Sequence, residues 1–148
     1  MRVIGIDLGS KRIGVAVSDS GGVLASPYEV VLRTGDEQRD HRRLLAIAEE
    51  VEAERIVVGL PLSLDGSMGP TATAYAAEAE RLGATTALPI ETYDERFTTV
   101  TADRSLMDRK MKADARRRII DKVAAAVMLQ AWLDGQPRDP DAQPLDAD

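Results

Sequence analysis

Short apolar runs separated by polar turns organise the chain, and the first two of them predict a β-hairpin. Residues 3–6 are largely apolar, residues 9–12 form a polar turn that contains Gly9, and residues 13–17 return as a second apolar run. Two short runs rich in β-branched residues and joined by a glycine-containing turn are typical of a hairpin. Residues 23–31 predict a third strand, and Pro27 within it favours an edge position.

The segment after this third strand is predicted to be a helix. Thr34 and Glu37 have the spacing of a capping box, which predicts that Thr34 is the N-cap of a helix. The residues that follow place apolar side chains on one helix face, at Leu44, Ile47, Ala48 and Val51. We expect His41, the only histidine, to lie on the surface of this helix. Because a second histidine for a metal site or a catalytic pair is absent, a mechanism based on imidazole is not expected.

Strands and helices alternate in the second half of the chain. Residues 55–59 are continuously apolar after the first position, as in buried parallel strands. A loop rich in Gly and Pro leads into a helix that is predicted from Pro70 to Leu82, with Gly83 as its C-cap. Residues 88–93 predict the next strand, and helical sequence then runs from about Thr98 to Leu133 with a break near residues 111–112.

This order of elements predicts an α/β fold built on one mixed five-stranded sheet. Strands 1–3, led by the hairpin, are expected to be antiparallel and strands 4–5 parallel, with helices on both faces. Residues 1–134 are expected to form the domain. Residues 135–148, which are acidic and contain three prolines, are expected to be a disordered tail.

Composition narrows the class of protein further. A chain of 148 residues fits one domain, and the absence of cysteine excludes disulfides and thiolate metal sites. No apolar run approaches the roughly 18 residues of a membrane span, and the first residues lack the pattern of a secretory leader. We therefore expect a cytoplasmic protein that makes no contact with a membrane.

Charge is distributed unevenly along the chain. The net charge is −6, yet residues 96–122 contain nine Lys or Arg against four Asp, a local net charge of +5. Residues 134–148 contain five Asp against one Arg, a local net charge of −4. A local basic surface can bind phosphate although the whole chain is acidic, and a solvated helix face without a partner is the alternative.

Several carboxylates occupy positions in the predicted elements from which they could meet in one site. Asp7 ends the first strand, Asp94 and Glu95 end the last strand, and Asp121 lies at the margin of the apolar stripe of the final helix. Carboxylates brought together repel one another unless a cation lies between them, and hard oxygen ligands favour Mg²⁺ or Mn²⁺. Unrelated solvated or capping side chains are the alternative interpretation.

Groups suited to a phosphate backbone accompany these acids. The cationic candidates for nucleic-acid binding are Lys11, Arg12, Arg96, Arg117, Arg118 and Lys122. Gly66, Ser67 and Gly69 precede a helix N-terminus, where free amides attract anions, although an ordinary strand-to-helix turn is the alternative. Thr98 and Thr99 could donate their hydroxyls to phosphate or could cap a helix.

Four stretches together resemble the YqgF/RuvX family of ribonuclease H-like nucleases. They are GIDLGSKRIGVAVSD (5–19), GLPLSLDGSMG (59–69), DERFTT (94–99) and RRIIDKVAAAVMLQAWL (117–133). The resemblance implies a ribonuclease H-like fold and metal-dependent cleavage of structured nucleic acid. It places the catalytic, metal-binding acids of the family at Asp7, Glu95 and Asp121, with Mg²⁺ or Mn²⁺ as cofactor. Asp94 is left as a neighbour that supports Glu95.

The resemblance leaves the substrate open. We expect processing of the 5′ end of pre-16S ribosomal RNA, together with ribosomal or transcription-associated partners. Cleavage of branched DNA as a Holliday junction resolvase is the alternative, and it would favour a homodimer with two active sites. A third and remote alternative is a non-catalytic binding module that associates with nucleic acid or with the ribosome.

A different class shares part of this pattern. The Asp-Leu-Gly-Ser hairpin also resembles the phosphate-binding hairpin of the actin and sugar-kinase superfamily. Those proteins enclose ATP between two such domains, and 148 residues provide one.

Overall fold

The computed structural model describes residues 1–97 and 113–137, in which a five-stranded sheet lies between helices on both faces. The strands are β1 (Val3–Leu8), β2 (Arg12–Ser18), β3 (Ala25–Leu32), β4 (Arg55–Leu60) and β5 (Ile90–Asp94). The helices are α1 (Glu37–Glu50), α2 (Pro70–Gly83) and α3 (Ala113–Asp134), and a 3₁₀ turn at Glu95–Phe97 follows β5. Within the described ranges, no helix is both long and apolar enough to cross a bilayer.

The sheet has the strand order β3-β2-β1-β4-β5. The pairs β1–β2 and β2–β3 are antiparallel, whereas β1–β4 and β4–β5 are parallel. The predicted mixed sheet is therefore confirmed, and Pro27 lies in the edge strand β3, where a missing backbone N–H is tolerated. Strand β1 is central, so the residue at its C-terminal end has a neighbour on each side.

Alternation along β1 divides the core into two clusters. One cluster joins Ile4 and Ile6 of β1 to apolar residues of α1 and α2. The other joins Val3 to α3, including a fully packed Trp132. Side chains of a strand alternate between the faces, so Asp7 lies on the α3 face together with Val3. Asp7 thus continues an apolar row on the side of the sheet that α3 covers.

Two local expectations are wrong in detail. The N-cap of α1 is Asp36, whose side chain accepts hydrogen bonds from the amides of the next turn. Gly35, with φ of +93°, turns the chain just before it, and the Thr34 hydroxyl instead donates to Asp40 at 2.8 Å. Helix α2 continues through Gly83, where a Cβ would lie 2.8 Å from Ile90. This glycine therefore permits close packing of α2 on β5 rather than ending the helix.

His41 is buried, with only 5% of its surface exposed, so the prediction of a surface histidine is wrong. Its Nε2 lies 2.8 Å from a carboxylate oxygen of Glu78 on α2. The reason is positional, because His41 precedes Leu44 by three residues and so shares the inward face of α1.

Candidate active site

The C-terminal end of β1 places Asp7 between two glycines. In the sheet, Asp7 pairs with Gly14 of β2 on one side and with Gly59 of β4 on the other. Neither neighbour has a side chain, so the sheet surface beside Asp7 is bare backbone. Glycine inside a strand weakens it but permits close approach of another group.

Each glycine admits one of the other predicted acids. A Cβ on Gly59 would lie 2.4 Å from Oε1 of Glu95, so the Glu95 carboxyl group lies directly over β4. A Cβ on Gly14 would lie 2.1 Å from the backbone carbonyl oxygen of Asp121, so α3 contacts β2 at Asp121. The two glycines thus allow Glu95 and Asp121 to approach Asp7 from opposite sides.

The charges at this point are not balanced within the described residues. Burial, the carboxyl group of Glu95, which shares a hydrogen bond with Asp7, and the charge of Asp121 together raise the pKa of Asp7 to about 9. Arg12 balances part of the charge, because its Nε donates to Oδ2 of Asp121 at 2.7 Å. Asp7 therefore keeps its proton at neutral pH when no other cation is bound.

The donor set fits a hard divalent cation. The three converging groups offer carboxylate oxygens, which are the ligands that Mg²⁺ and Mn²⁺ select. The raised pKa of Asp7 is the signature expected of a carboxylate whose counter-charge is not supplied by the fold. A divalent cation at this point would supply that charge, and Asp7 would release its proton on binding.

Asp94 has a different role from its neighbour Glu95. Its Oδ2 accepts a hydrogen bond from Nε of Arg96 at 2.8 Å, and its Oδ1 accepts one from the Arg96 backbone amide at 2.9 Å. These bonds lower the pKa of Asp94, which keeps the carboxylate charged. Arg96 in turn donates to the carbonyl oxygen of Leu64 at 3.2 Å. Asp94 and Arg96 therefore tie the end of β5 to the loop that follows β4.

That loop contains the three predicted phosphate-binding residues Gly66, Ser67 and Gly69. The Ser63 amide donates to the Ser67 carbonyl at 3.0 Å, and the Ser67 amide donates to the Asp65 side chain at 2.9 Å. Gly66 has φ of +88°, a conformation that favours glycine, and Gly69 is the N-cap of α2 without a side-chain hydrogen bond. The loop is thus a closed turn that leads into α2, and its Gly66 lies beside the guanidinium of Arg96.

The remaining predicted residues divide by position. Lys11 is exposed in the β1–β2 turn, and Arg12, at the start of β2, is paired with Asp121. Lys122 lies half-buried on α3, next to Asp121. The predicted roles of Thr98 and Thr99, and those of the side chains of Arg117 and Arg118, lie outside the described residues.

Gly14 and Gly59 line the candidate site but were not among the residues predicted from the sequence. A signal was available, because each interrupts an apolar strand and such glycines mark close approach of another group. The buried polar cluster of Arg33, His41 and Glu78, on the opposite face of the sheet, was not predicted from the sequence either. No motif marks that cluster, because Glu78 is 45 residues from Arg33 and 37 residues from His41 in the chain.

The chain is similar to known proteins along almost its whole length. The family described as "RuvX: Holliday junction resolvase" matches residues 1–135. A Myxococcus xanthus protein named "Putative pre-16S rRNA nuclease" is 44% identical over 149 residues, which cover 100% of this chain and 98% of that protein. A Rhodococcus erythropolis protein of the same name is 47% identical over 141 residues, covering 93% of this chain and 80% of that protein.

A solved structure shares the fold. The Thermus thermophilus RuvC structure determined "in complex with Holliday junction substrate" has a TM-score of 0.50 and 16% identity, and the match covers 86% of this chain and 91% of that chain. At this identity the likeness bears on the fold alone. The family and the fold class predicted from the sequence are both confirmed.

Proposed function

Because the chain belongs to the RuvX family, we propose that it is a metal-dependent nuclease that processes the 5′ end of pre-16S ribosomal RNA. It is then a hydrolase acting on phosphodiester bonds of structured nucleic acid. The observation that carries the proposal is the convergence of Asp7, Glu95 and Asp121, where burial and the two neighbouring carboxyl groups raise the pKa of Asp7 to about 9. The names of the Myxococcus and Rhodococcus relatives support RNA as the substrate.

In this proposal Asp7, Glu95 and Asp121 hold Mg²⁺ or Mn²⁺ through their carboxylate oxygens. The bound ion supplies Lewis-acid chemistry, which makes water a stronger nucleophile and stabilises charge on the leaving oxygen. Arg12 holds Asp121 at the site through the 2.7 Å hydrogen bond. Asp94 keeps the chain after Glu95 in place through its bonds to Arg96. These contacts fix the position of the acids before substrate binds.

Substrate binding is assigned to the groups around the acids. Lys11 is exposed in the turn that follows β1 and is suited to contact the phosphate backbone. The loop with Gly66, Ser67 and Gly69, which Arg96 holds at the end of β5, is suited to a second phosphate through backbone amides. We assign the same role to Thr98, Thr99, Arg117, Arg118 and Lys122. Residues 1–134 are the nuclease domain in this proposal, and an enzyme of this kind would act in the cytoplasm beside ribosomal or transcription-associated partners.

The test is cleavage of a pre-16S RNA 5′ leader by wild type and by Asp7→Asn in Mg²⁺ or Mn²⁺. Loss of one charged ligand should reduce cleavage by more than about 100-fold, since even a residue that only supports a ligand costs 10–100-fold. Glu91→Gln is the matched control, because Glu91 is on β5 and is paired with Arg55 at the other end of the strand. It should cleave as wild type does.

The outcomes separate the alternatives. Equal cleavage by Asp7→Asn and wild type would contradict the assigned site. Failure of wild type to cut the leader in either metal would contradict the RNA substrate. Metal binding without cleavage of any substrate would favour the non-catalytic binding module.

A second candidate function is resolution of branched DNA, which the family description favours. A synthetic four-way junction should be tested beside the RNA leader, with the same variants. Paired symmetric nicks in the junction, made by a two-fold dimer, would support this candidate over RNA processing. A strictly monomeric enzyme that cuts only the leader would exclude it.

A further inference from the structure

The turn between β1 and β2 connects two parts of the proposed site. Asp7 lies two residues before Gly9, where the turn begins, and Arg12, which binds Asp121, lies at its end. A Cβ on Gly9 would lie 2.4 Å from the carbonyl oxygen of Arg12, so the turn is tight. A displacement of this turn would therefore move Asp7 and Arg12 together.

Arg33, just after β3, holds both ends of this turn. Its Nε donates to the carbonyl oxygen of Gly9 at 2.6 Å. Its backbone amide donates to the carbonyl oxygen of Lys11 at 2.9 Å. One residue thus binds two carbonyl groups of the turn, one through the side chain and one through the main chain.

The guanidinium of Arg33 is itself fixed by a buried carboxylate. Both oxygens of Glu78 on α2 accept hydrogen bonds from Arg33 at 2.9 Å, and one also lies 2.8 Å from Nε2 of His41 on α1. Glu78 is 5% exposed. Burial acts to raise the pKa of Glu78, but the hydrogen bonds from Arg33 and His41 outweigh it and lower that pKa. The pair is therefore charged and is anchored in two helices.

Two members of this cluster, His41 and Glu78, also have the composition of a metal site together with Glu37. The three side chains offer ligand atoms within 4.8 Å of one another. The arginines argue against that use. Both oxygens of Glu78 bind Arg33, and both oxygens of Glu37 bind Arg81 at 2.7 Å. The cationic partner that the acids at Asp7 require from outside is here supplied by the chain.

We propose that Arg33, fixed by Glu78 and His41, is a positioning residue that holds the β1–β2 turn so that Asp7 and Arg12 keep the geometry needed for metal binding and cleavage. The proposal rests on the proposed nuclease function. The planar guanidinium is essential to this role, because its fork binds two carboxylate oxygens while Nε reaches a third acceptor. Lysine keeps the charge but cannot reproduce this fixed arrangement.

The experiment compares Arg33→Lys with Arg43→Lys. Arg43 on α1 makes a similar forked pair with Glu29 on β3, at 2.6 and 3.0 Å, but that pair does not contact the turn. Arg33→Lys should lower kcat by about 10–100-fold with little change in KM, as expected for a group that supports metal ligands. It should also weaken the binding of Mn²⁺ alone, measured by calorimetry, by a similar factor. Arg43→Lys should match wild type in both.

Amide hydrogen exchange measures the order of the turn without any substrate. At temperatures well below the Tm of each variant, amides of residues 9–12 should exchange faster in Arg33→Lys, while those in β4 should not. Arg33→Lys with wild-type Mn²⁺ affinity and wild-type turn exchange would overturn the proposal. If wild type cleaves neither RNA nor DNA, the proposed function fails, and Mn²⁺ binding and exchange still decide whether Arg33 positions the turn.

Discussion

Asp7 and Glu78 are two desolvated carboxyl groups on opposite faces of the same sheet, and their pKa values are shifted in opposite directions. The pKa of Asp7 is raised to about 9 by burial and by the carboxyl groups of Glu95 and Asp121. The pKa of Glu78 is lowered although burial opposes this, because Arg33 and His41 donate hydrogen bonds to it. Desolvation acts in the same direction on both groups, so the partners decide the outcome.

The comparison distinguishes a structural site from a site prepared for a ligand. At Glu78 the chain supplies the counter-charge, and the cluster is complete without any added ion. Among the described residues around Asp7, Arg12 binds Asp121, whereas the carboxyl groups of Asp7 and Glu95 share a hydrogen bond with each other. Perturbed carboxyl groups with unbalanced charge are frequent at functional sites, whereas balanced pairs are frequent in structural networks.

The largest difference is expected in the pH dependence of stability without metal. Asp7 ionises near 3.8 in the unfolded chain and near 9 in the folded protein, so folding binds its proton. Its contribution to stability is fully present below pH 3.8 and is lost as the pH rises toward 9. In EDTA, Asp7→Asn should therefore have a higher Tm than wild type at pH 7, with a gap that widens from pH 4 to 9.

Differential scanning calorimetry of both proteins checks this, with Glu91→Gln as the control for loss of a carboxylate. Addition of Mn²⁺ should reverse the order, since a cation that binds only the folded wild type raises its Tm. A lower Tm for Asp7→Asn in EDTA at neutral pH would show that the three acids are not in conflict.

At Glu78 a substitution should destabilise the protein, because removal of the cationic partner leaves a buried carboxylate without a counter-charge. Arg33→Met keeps much of the side-chain volume but removes the cation, and it should lower the free energy of unfolding by about 3–5 kcal/mol. Arg43→Met removes the exposed counterpart and should cost about 0–1 kcal/mol. Urea unfolding measures both values, and equal losses would contradict the distinction between the two pairs.

Smaller effects on stability than that of Arg33→Met are expected at the two glycines that flank Asp7. Gly14→Ala places a Cβ against the Asp121 backbone, which cannot move without α3, and overpacking of this kind costs about 1–3 kcal/mol. Gly59→Ala meets only the end of the Glu95 side chain, so the unfolding free energy should change less. Displacement of Glu95 should nevertheless weaken Mn²⁺ binding by about 10–100-fold.

Calorimetric titration with Mn²⁺ and urea unfolding, applied to both variants, separate these two effects. Gly59→Ala with wild-type Mn²⁺ affinity would remove Glu95 from the proposed ligand set. Gly14→Ala with unchanged stability would contradict close contact between α3 and β2.

Several features followed from local sequence alone. The order of elements, the mixed sheet and the edge position of Pro27 are encoded in apolar runs and in proline chemistry, which depend on neighbouring residues. The positions of Asp7 and Asp94 at strand ends followed from the same runs. The family could be identified because its motifs are short and contiguous, such as DERFTT at residues 94–99.

Other features depended on which elements meet in space. His41 lay among charged residues in sequence, and its burial against Glu78 required α2 to pack beside α1. Arg96 was expected to bind nucleic acid, and the fold shows that its side chain donates hydrogen bonds to Asp94 and to the carbonyl oxygen of Leu64. The register of the sheet, which placed Gly14 and Gly59 beside Asp7, is set by long-range pairing between strands.

The sequence by itself determined which residue types are present and how they are grouped along the chain, and these were sufficient for the fold class, the family and the candidate acids. The tertiary structure decided which charges are balanced. Arg33 and Glu78 are 45 residues apart and form a satisfied pair, whereas Asp7 meets Glu95 and Asp121 and keeps its proton. The physical reason is that a pKa depends on burial and on neighbours in space, and neither is a property of local sequence.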